Sequence, residues 1–374
     1  MSITRRQFGR QFTAMGALGM AAQLSPLSFA QTLTTASPQP VGYAIIGLGR
    51  IADHFMRGIQ TSPGSKVTAL VSGHRDKAER IAAQYNVPKS SIYSYEDMDS
   101  MHDNKAVEAV YVALPNSMHA EYTIRSAKAG KHVLCEKPMA ISVAESKSMI
   151  DACNRANVKL MIAYRCHFEP TNLKAVKLIR DGAIGKVQSI QSAFGFDIGP
   201  TEWRLNKKLA GGGPLMDVGI YCLNATRYLT GEEPADLRAY ATSDPADMRF
   251  KEVEENLVWN TKFPSGIVSS CNTTYGANMD GYFHVYGSEG WIEASPAFNY
   301  DGLRLRAEYR GKDGKWVSLD EPNLEKDPLQ FTRQADHFSA CIRRNLTPKT
   351  PGEEGLRDME LITRLYSSTG IQML

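Results

Sequence analysis

Three side chains in this sequence stand where a proton transfer can be organised: Lys137, Asp217 and Tyr221. Lys137 belongs to His132-Val133-Leu134-Cys135-Glu136-Lys137-Pro138, where a short apolar run meets Glu-Lys-Pro and a helical pattern follows from Ser142. A buried parallel strand ends in this way, and open α/β sheets bind ligands beyond such ends. A lysine there can face a cofactor on one side and a substrate on the other; on the tripeptide alone it reads equally well as a solvated strand end. Pro138 suits a rigid turn, with either a trans or a cis bond. Asp217 and Tyr221 fall on a helix predicted over residues 215–229, introduced by the flexible turn Ala210-Gly211-Gly212-Gly213-Pro214. Four residues apart, they share one face. Asp217 also suits a dipole partner at the helix start, and Tyr221 a core aromatic, but Gly219 beside them leaves room for a ligand, which favours function.

The elements that must position these residues follow a βα alternation. A short buried strand over 43–46 runs into Gly47-Leu48-Gly49-Arg50-Ile51-Ala52, a helix reaches about residue 60, and a second strand covers 66–71. A glycine triad gains meaning only in this strand–turn–helix–strand setting, which is that of a dinucleotide-binding fingerprint. Gly47 permits the tight turn, Gly49 lets the backbone approach a pyrophosphate, and Ala52 allows close helix–strand packing. The diphosphate then rests on the helix N-terminus. The second strand ends in Ser72-Gly73-His74-Arg75-Asp76-Lys77 rather than in a carboxylate for ribose hydroxyls. A hydroxyl with Arg75 and Lys77 behind it accommodates a 2′-phosphate, so the predicted cofactor is NADP rather than NAD.

Further strands are predicted over 109–114, 132–135 and 159–164, with helices over 120–129 and 142–156 between them, giving a doubly wound parallel sheet. Leu114, Pro115 and Asn116 lie at a strand end and so line the nicotinamide half, with His119 either a contact or the start of its helix. Glu136 and Lys137 lie at the next strand end. Beyond Arg165 and a helix to residue 180, the texture becomes strands at 187–196, 236–242, 257–263, 267–273, 281–286 and 291–294, with a hairpin signal at Pro264-Ser265-Gly266. Two helices, over 330–344 and 353–367, close the chain. The expected fold is thus α/β: an N-terminal Rossmann domain over 42–165, and an α+β substrate and oligomerisation domain over 166–374 with a large, mainly antiparallel open sheet. Arg165, Trp203 and Arg204 are expected to contact sugar or nicotinamide, Trp203 offering an apolar face for a pyranose ring.

Composition narrows the function classes. With 43 basic against 40 acidic residues and no basic tract, nothing argues for nucleic acid. No stretch approaches the roughly 20 apolar residues of a membrane span. The six cysteines (135, 153, 166, 222, 271 and 341) show no CxxC spacing, and no His/Cys spacing supports a metal. Thr4-Arg5-Arg6-Gln7-Phe8, a weakly apolar run over 14–22 and Ser28-Phe29-Ala30 have the layout of a twin-arginine export signal over 1–30, cleaved after Ala30. Such proteins cross the membrane folded, which fits a cofactor acquired in the cytoplasm, a periplasmic destination, and buried thiols rather than disulfides. Residues 31–41 read as a loop-like arm.

Gly47-Leu48-Gly49, Leu114-Pro115-Asn116-Ser117, Cys135-Glu136-Lys137-Pro138, Tyr164-Arg165-Cys166-His167 and the run from Gly211 to Tyr221 together resemble the glucose–fructose oxidoreductase family, within the superfamily that also holds inositol dehydrogenases. The resemblance covers 42 to about 368 and includes the export signal. It implies that Lys137 is the catalytic lysine, Tyr221 the acid/base and Asp217 a sugar-holding residue, with Ser72 and Lys77 on the 2′-phosphate of NADP. Tyr rather than His at 221 points to the glucose–fructose branch, where glucose becomes gluconolactone and fructose becomes sorbitol on a retained cofactor. It also implies a homodimer or homotetramer. In the family an N-terminal arm wraps a neighbouring subunit; here the arm is only 31–41.

A hydride leaves a sugar carbon only if the hydroxyl proton also leaves. A tyrosine, with an ordinary pKa of about 10, is a poor base at neutral pH, so the Lys137 ammonium is expected to lower it. Simple aldose dehydrogenation, aldose–aldose transfer, and a non-enzymatic sugar-binding protein that keeps its nucleotide are the competing readings. N-terminal sequencing of exported protein should begin at Gln31; a chain still starting at Met1 contradicts the cleavage.

Overall fold

The structure, a computed structural model, describes residues 39–373. The predicted export signal and most of the predicted arm lie outside the described residues. Chain description begins at Gln39, and β1 (Val41–Ile46) starts two residues earlier than the sequence pattern suggests, because Val41 and Gly42 are as buried as the rest of the strand.

The first layer alternates strand and helix: β1, α1 (Arg50–Gln60), β2 (Ser65–Val71), α2 (Arg75–Tyr85), β3 (Ile92–Tyr93), β4 (Ala109–Val112), α3 (His119–Lys128), β5 (His132–Cys135), α4 (Val143–Arg155) and β6 (Leu160–Ile162). The six strands are parallel in the order β3-β2-β1-β4-β5-β6. This is the order that places the C-terminal ends of β1 and β4 side by side at the topological switch point. β1, β4 and β5 are apolar on both faces, as a sheet covered by helices on both sides requires.

After α5 (Pro170–Arg180) comes the second sheet, of eight strands. Its elements are β7 (Val187–Gly195), α6 (Lys207–Ala210), a π-helical turn (Leu215–Gly219) that continues as α7 (Ile220–Thr230), β8 (Asp236–Thr242), β9 (Asn256–Lys262), β10 (Val268–Thr274), β11 (Tyr282–Gly287), β12 (Gly290–Ala294), β13 (Arg304–Arg310) and β14 (Trp316–Pro322). The order is β14-β13-β12-β11-β7-β10-β9-β8, and every pairing except β7 with β10 is antiparallel. One face is covered: Leu237, Ala239, Leu257, Trp259 and Cys271 pack inward, and Tyr240, Val258 and Val268 on the other face are exposed. The sheet is larger than expected by β13 and β14. β14 was hidden because it is almost wholly exposed, and β13 because its apolar face, Leu305, Ala307 and Tyr309, is short and set among charged residues.

The two closing helices, α8 (Leu329–Arg344) and α9 (Gly352–Thr369), return to the first sheet. Phe331, Ala335 and Phe338 of α8 share a core with Tyr43, Phe55 and Tyr111. The tail therefore helps to build the Rossmann layer. All six cysteines are free and buried.

The turn after β1 is held by a single steric condition. Gly47 has φ +87°, and a Cβ there would lie 2.5 Å from the Ala113 carbonyl oxygen. Gly49, at the N-terminus of α1, has nothing within 4 Å of a Cβ. Gly47→Ala should therefore lower stability in urea denaturation by about 1–3 kcal/mol, and Gly49→Ala should stay within about 0.5 kcal/mol of wild type while weakening nucleotide binding. Equal stability for the two variants would contradict this account of the turn.

Candidate active site

The residues expected to do chemistry surface together. Between Val133 and Ala140 only Lys137 is not buried, and between Gly211 and Ile220 only Asp217. Lys137 reaches out from the turn after β5, whose Lys137–Pro138 peptide is cis. Its ammonium donates to the Asp217 carbonyl at 2.7 Å and to Asp217 Oδ1 at 3.4 Å. That carbonyl belongs to the π-helical turn, a local widening that often marks functional sites. The ammonium also lies 4.6 Å from the centre of the Tyr221 ring.

Asp217 is the most heavily partnered side chain of the group. Arg204 Nε donates to Oδ2 at 2.8 Å and the Tyr275 hydroxyl donates to the same oxygen at 2.9 Å. Burial alone would raise this carboxyl, but Arg204 and then Lys137 outweigh it and hold it down to about 2. Asp217 is thus an anion throughout the physiological range.

Tyr221 differs from its expectation. Burial pushes its phenol up, and the cation that partly offsets this is Arg165, whose Nε donates to the Tyr221 oxygen at 3.2 Å. Lys137 meets the ring face rather than the hydroxyl. Arg165, itself buried, also lies 4.9 Å from the Tyr221 ring centre and 4.5 Å from that of Tyr300, and donates to Gln330 Oε1 and to the Asn299 and Phe298 carbonyls. The Tyr221 oxygen accepts from Arg165, which leaves its own hydroxyl hydrogen free of that bond.

Several residues predicted to touch cofactor hold the loops together through hydrogen bonds. His119 is buried, with Nδ1 2.8 Å from the Pro138 carbonyl and Nε2 2.9 Å from the Leu114 carbonyl. It joins the two strand-end turns, and burial disfavours the doubly protonated ring that both bonds together would need. Asn116 Nδ2 donates to the Ala210 carbonyl at 2.8 Å. Glu136 accepts from the Tyr111 hydroxyl and from the Lys137 amide, and burial raises its carboxyl. Leu114 and Pro115 stay partly exposed at the end of β4. Trp203 lies beside Arg204, whose guanidinium is 4.7 Å from the indole centre, and Glu202 bridges Arg204 to Arg50 at the start of α1.

The nucleotide end fits a dinucleotide. Leu48 and Ala52 are buried behind the turn, Arg50 and Gly49 are exposed, and Ile51 is half-buried. The space in front of Gly49 is open to the α1 N-terminus, where backbone N–H groups and the helix dipole favour an anion. Ser72 ends β2, its hydroxyl accepting from the His74 amide at 3.1 Å. Lys77 is exposed and, among the described residues, makes no ion pair. The Arg75 guanidinium is turned to Glu79 and to the Lys89 and Ile92 carbonyls.

Two readings of glycine are corrected. The turn at Ala210–Pro214 is not flexible: Gly211, Gly212 and Gly213 are buried, and the Glu254 carboxylate accepts from the Gly213 and Leu215 amides. Gly219 makes no room for a ligand, because a Cβ there would meet Thr273 Cγ2 at 2.9 Å; it lets the helix approach β10. Sequence reasoning also missed Tyr275 and Tyr300. Tyr275 directly follows a strand, a signal that was available. Tyr300 lies in an aperiodic stretch with none.

Residues 41–164 match the oxidoreductase family with an NAD-binding Rossmann fold, and residues 172–293 match the GFO/IDH/MocA C-terminal domain. A crystal structure of aldose–aldose oxidoreductase from Caulobacter crescentus, complexed with glycerol, is similar at 44% identity and a TM-score of 0.84, over 89% of this chain and 98% of that one. D-xylose 1-dehydrogenase [NADP(+)] from Haloarcula marismortui is 31% identical over 90% of this chain and 92% of its own. 1,5-Anhydro-D-fructose reductase from Ensifer adhaerens is 26% identical over 84% and 92%.

The Asp217 pairing sets an acid limit. An aspartate ordinarily titrates near 3.9. A carboxyl held at about 2 in the folded chain adds stability above pH 4, and that stability is lost as pH falls towards 2. Arg204→Met removes the leading favourable charge and lets burial raise the carboxyl. The variant should lose about 1–3 kcal/mol at pH 7, and in urea denaturation from pH 7 to 3 its deficit relative to wild type should shrink, because only wild type still has a depressed carboxyl to lose as pH falls. Superimposable pH curves would refute the pairing.

Proposed function

The chain belongs to the GFO/IDH/MocA family of oxidoreductases, and from that premise we propose that it is an NADP-dependent sugar oxidoreductase that oxidises an aldose and reduces the carbonyl of a second sugar. The observation that carries this reading is the Tyr221 phenol, placed between the Arg165 guanidinium at its oxygen and the Lys137 ammonium over its ring, beside a permanently ionised Asp217. Gly47, Gly49 and the α1 N-terminus would hold the diphosphate, and Ser72 with Lys77 would take a 2′-phosphate, there being no carboxylate at residues 72–75 to repel it. Bound there, NADP supplies the acceptor and donor of the hydride.

The side chains then divide the work. Asp217 cannot carry a proton at working pH and serves as a fixed acceptor for sugar hydroxyls. Tyr221 exchanges the proton of the reacting oxygen. In reduction it donates its hydroxyl hydrogen to the carbonyl, and the phenolate formed is stabilised by the two neighbouring cations; in oxidation that phenolate takes the hydroxyl proton. Lys137 holds Asp217 and Tyr221 in register across the two sheets. A pyranose packs against the indole of Trp203 and the ring of Tyr300.

For the second sugar, the 44% likeness to an aldose–aldose oxidoreductase supports an aldose acceptor. The tyrosine at 221 supports the second reading, in which fructose is reduced. We further propose a periplasmic location, on the twin-arginine pair and the small residues before Gln31, and a dimer formed through the open sheet face at Tyr240, Val258 and Val268.

Purified protein should carry NADP whose reduced-nicotinamide absorbance rises with glucose and falls again when a second aldose is added. Recovery with fructose alone favours the second reading, and an unchanging spectrum refutes the oxidoreductase assignment. Tyr221→Phe and Lys137→Ala should each lose about a hundredfold or more in turnover while still binding nucleotide; near-normal turnover in either overturns its role. Ser72→Asp should shift preference from NADP towards NAD, and an unchanged preference removes the 2′-phosphate assignment.

A further inference from the structure

The phenol of Tyr221 poses a question that the site itself leaves open. Burial favours its protonated form, yet oxidation of a sugar requires the proton of the hydroxyl to go somewhere. Lys137 and Tyr221 border a cavity of about 10 Å³, which they share with Tyr164, Asn224 and Tyr228. That is room for a single water molecule, provided polar groups surround it. They do. Tyr164 is 6% exposed, and its hydroxyl is turned to Asp358 without closing a well-formed hydrogen bond to any described residue. Lys137 gives two of its three N–H groups to Asp217 oxygens, which leaves the third.

On the far side of Tyr164 lies a cluster of charge that the chemistry above does not use. Asp358 is completely buried and neighbours the Tyr164 hydroxyl. Its Oδ1 accepts from Arg227 Nη1 at 2.6 Å and its Oδ2 from Asn224 Nδ2 at 3.0 Å. Arg227 also holds Glu354 at 2.6 Å and Glu233 at 2.7 Å, and Arg357 pairs with Glu233 and Glu354. Three carboxyl groups thus share two guanidinium groups, and the cluster balances when it carries one proton. Burial pushes Asp358 up to about 6 in spite of Arg227. Glu354, also desolvated, is kept low by Arg227 and Arg357. His167, 2.8 Å from Asn224 Oδ1, is held down to about 4 by burial and stays neutral, and Lys349 donates to its carbonyl rather than to the cluster. Of these buried groups, Asp358 is the carboxyl that burial raises towards neutral pH.

We propose that the cavity seats one water, held by the third N–H of Lys137 and by the Tyr164 hydroxyl, and that a proton passes from the sugar hydroxyl through Tyr221, this water and Tyr164 to Asp358 during oxidation, returning along the same path when a second carbonyl is reduced. The proposal rests on the oxidoreductase reading. At each oxygen along the path one O–H bond forms as another breaks, so the net change is one proton moved from sugar to Asp358. The C–H hydrogen leaves with its electron pair to NADP, and C=O forms. Tyr164 and Asp358 act through Tyr221 and touch no substrate. In a cycle that oxidises one sugar and reduces another, such a group keeps the proton for the second half.

Asp358 accepts a proton only when ionised, so sugar oxidation should fall as pH drops through about 6 and carbonyl reduction should not. The test is single-turnover reduction of enzyme-bound NADP by glucose from pH 5 to 8 in wild type, Tyr164→Phe and Asp358→Asn. It is paired with an infrared pH titration of carboxyl groups in the nucleotide-bound protein without sugar. Wild type should show a limb near pH 6. Tyr164→Phe, which removes a hydroxyl that closes no well-formed hydrogen bond in the protein, should keep its melting temperature yet lose roughly tenfold in rate together with that limb. The infrared titration should show a carboxyl near pH 6 in wild type and Tyr164→Phe that Asp358→Asn lacks; if Asp358→Asn fails to fold, Tyr164→Phe decides. A wild-type rate and pH limb in Tyr164→Phe, or no carboxyl titrating near pH 6, overturns the relay while leaving the oxidoreductase reading intact. Failure of every sugar to reduce the nucleotide overturns both.

Discussion

The pairing of Lys137 with Asp217 is the contact on which the rest of the site depends. The two side chains are 11% and 18% exposed, too deep for either charge to stand alone. One comes from the end of β5 in the parallel sheet and the other from a π-helical turn on the second sheet. The contact ties the two layers together at this point, and Tyr221, one helical turn beyond Asp217, lies with its ring under the lysine ammonium. The braces around this pair serve the same end. His119 ties the turn after β4 to the turn after β5, Asn116 ties the first of these to Ala210, and Glu254 clamps the amides that begin the π-helical turn. His119, Asn116 and Glu136, all expected at the cofactor, make hydrogen bonds that hold these loops.

The same chain shifts two buried carboxyl groups in opposite directions. Asp217 has Arg204, Lys137 and Tyr275 directed at it and is held at about 2; Asp358 shares Arg227 with two other acids in a dry setting and rises to about 6. Environments that push like groups apart in this way are how one site separates a fixed charge from a titrating one. The Tyr221 phenol is itself raised by burial.

Much of this was legible in the sequence because the signals are local. The glycine turn between β1 and α1, the apolar strand before Lys137 and the i, i+4 relation of Asp217 and Tyr221 each follow from residue type and spacing, and the fold class follows from the alternation of periods. The illegible part was what depends on distant chain segments. Nothing near Tyr221 announces Arg165, 56 residues away, as the donor to its oxygen, and nothing near Asp217 announces Tyr275. The glycines of Gly211-Gly212-Gly213 read as freedom, yet they are required by Ile141, Tyr366 and Glu254 pressing on them. β14 escaped because an edge strand with almost no buried position leaves no apolar alternation to read, and β13 because its alternation, Leu305, Ala307 and Tyr309, is only three residues long.

The central claim is that the Lys137–Asp217 pairing delivers the Tyr221 oxygen to the sugar hydroxyl that loses its proton. The most direct measurement is a crystal structure with oxidised nucleotide and a non-reacting polyol. The account predicts the Tyr221 oxygen within about 3 Å of a ligand hydroxyl whose carbon faces the nicotinamide, with Asp217 still on Lys137. A ligand bound against the nicotinamide with Tyr221 out of reach, or with the Lys137–Asp217 contact broken, would contradict it.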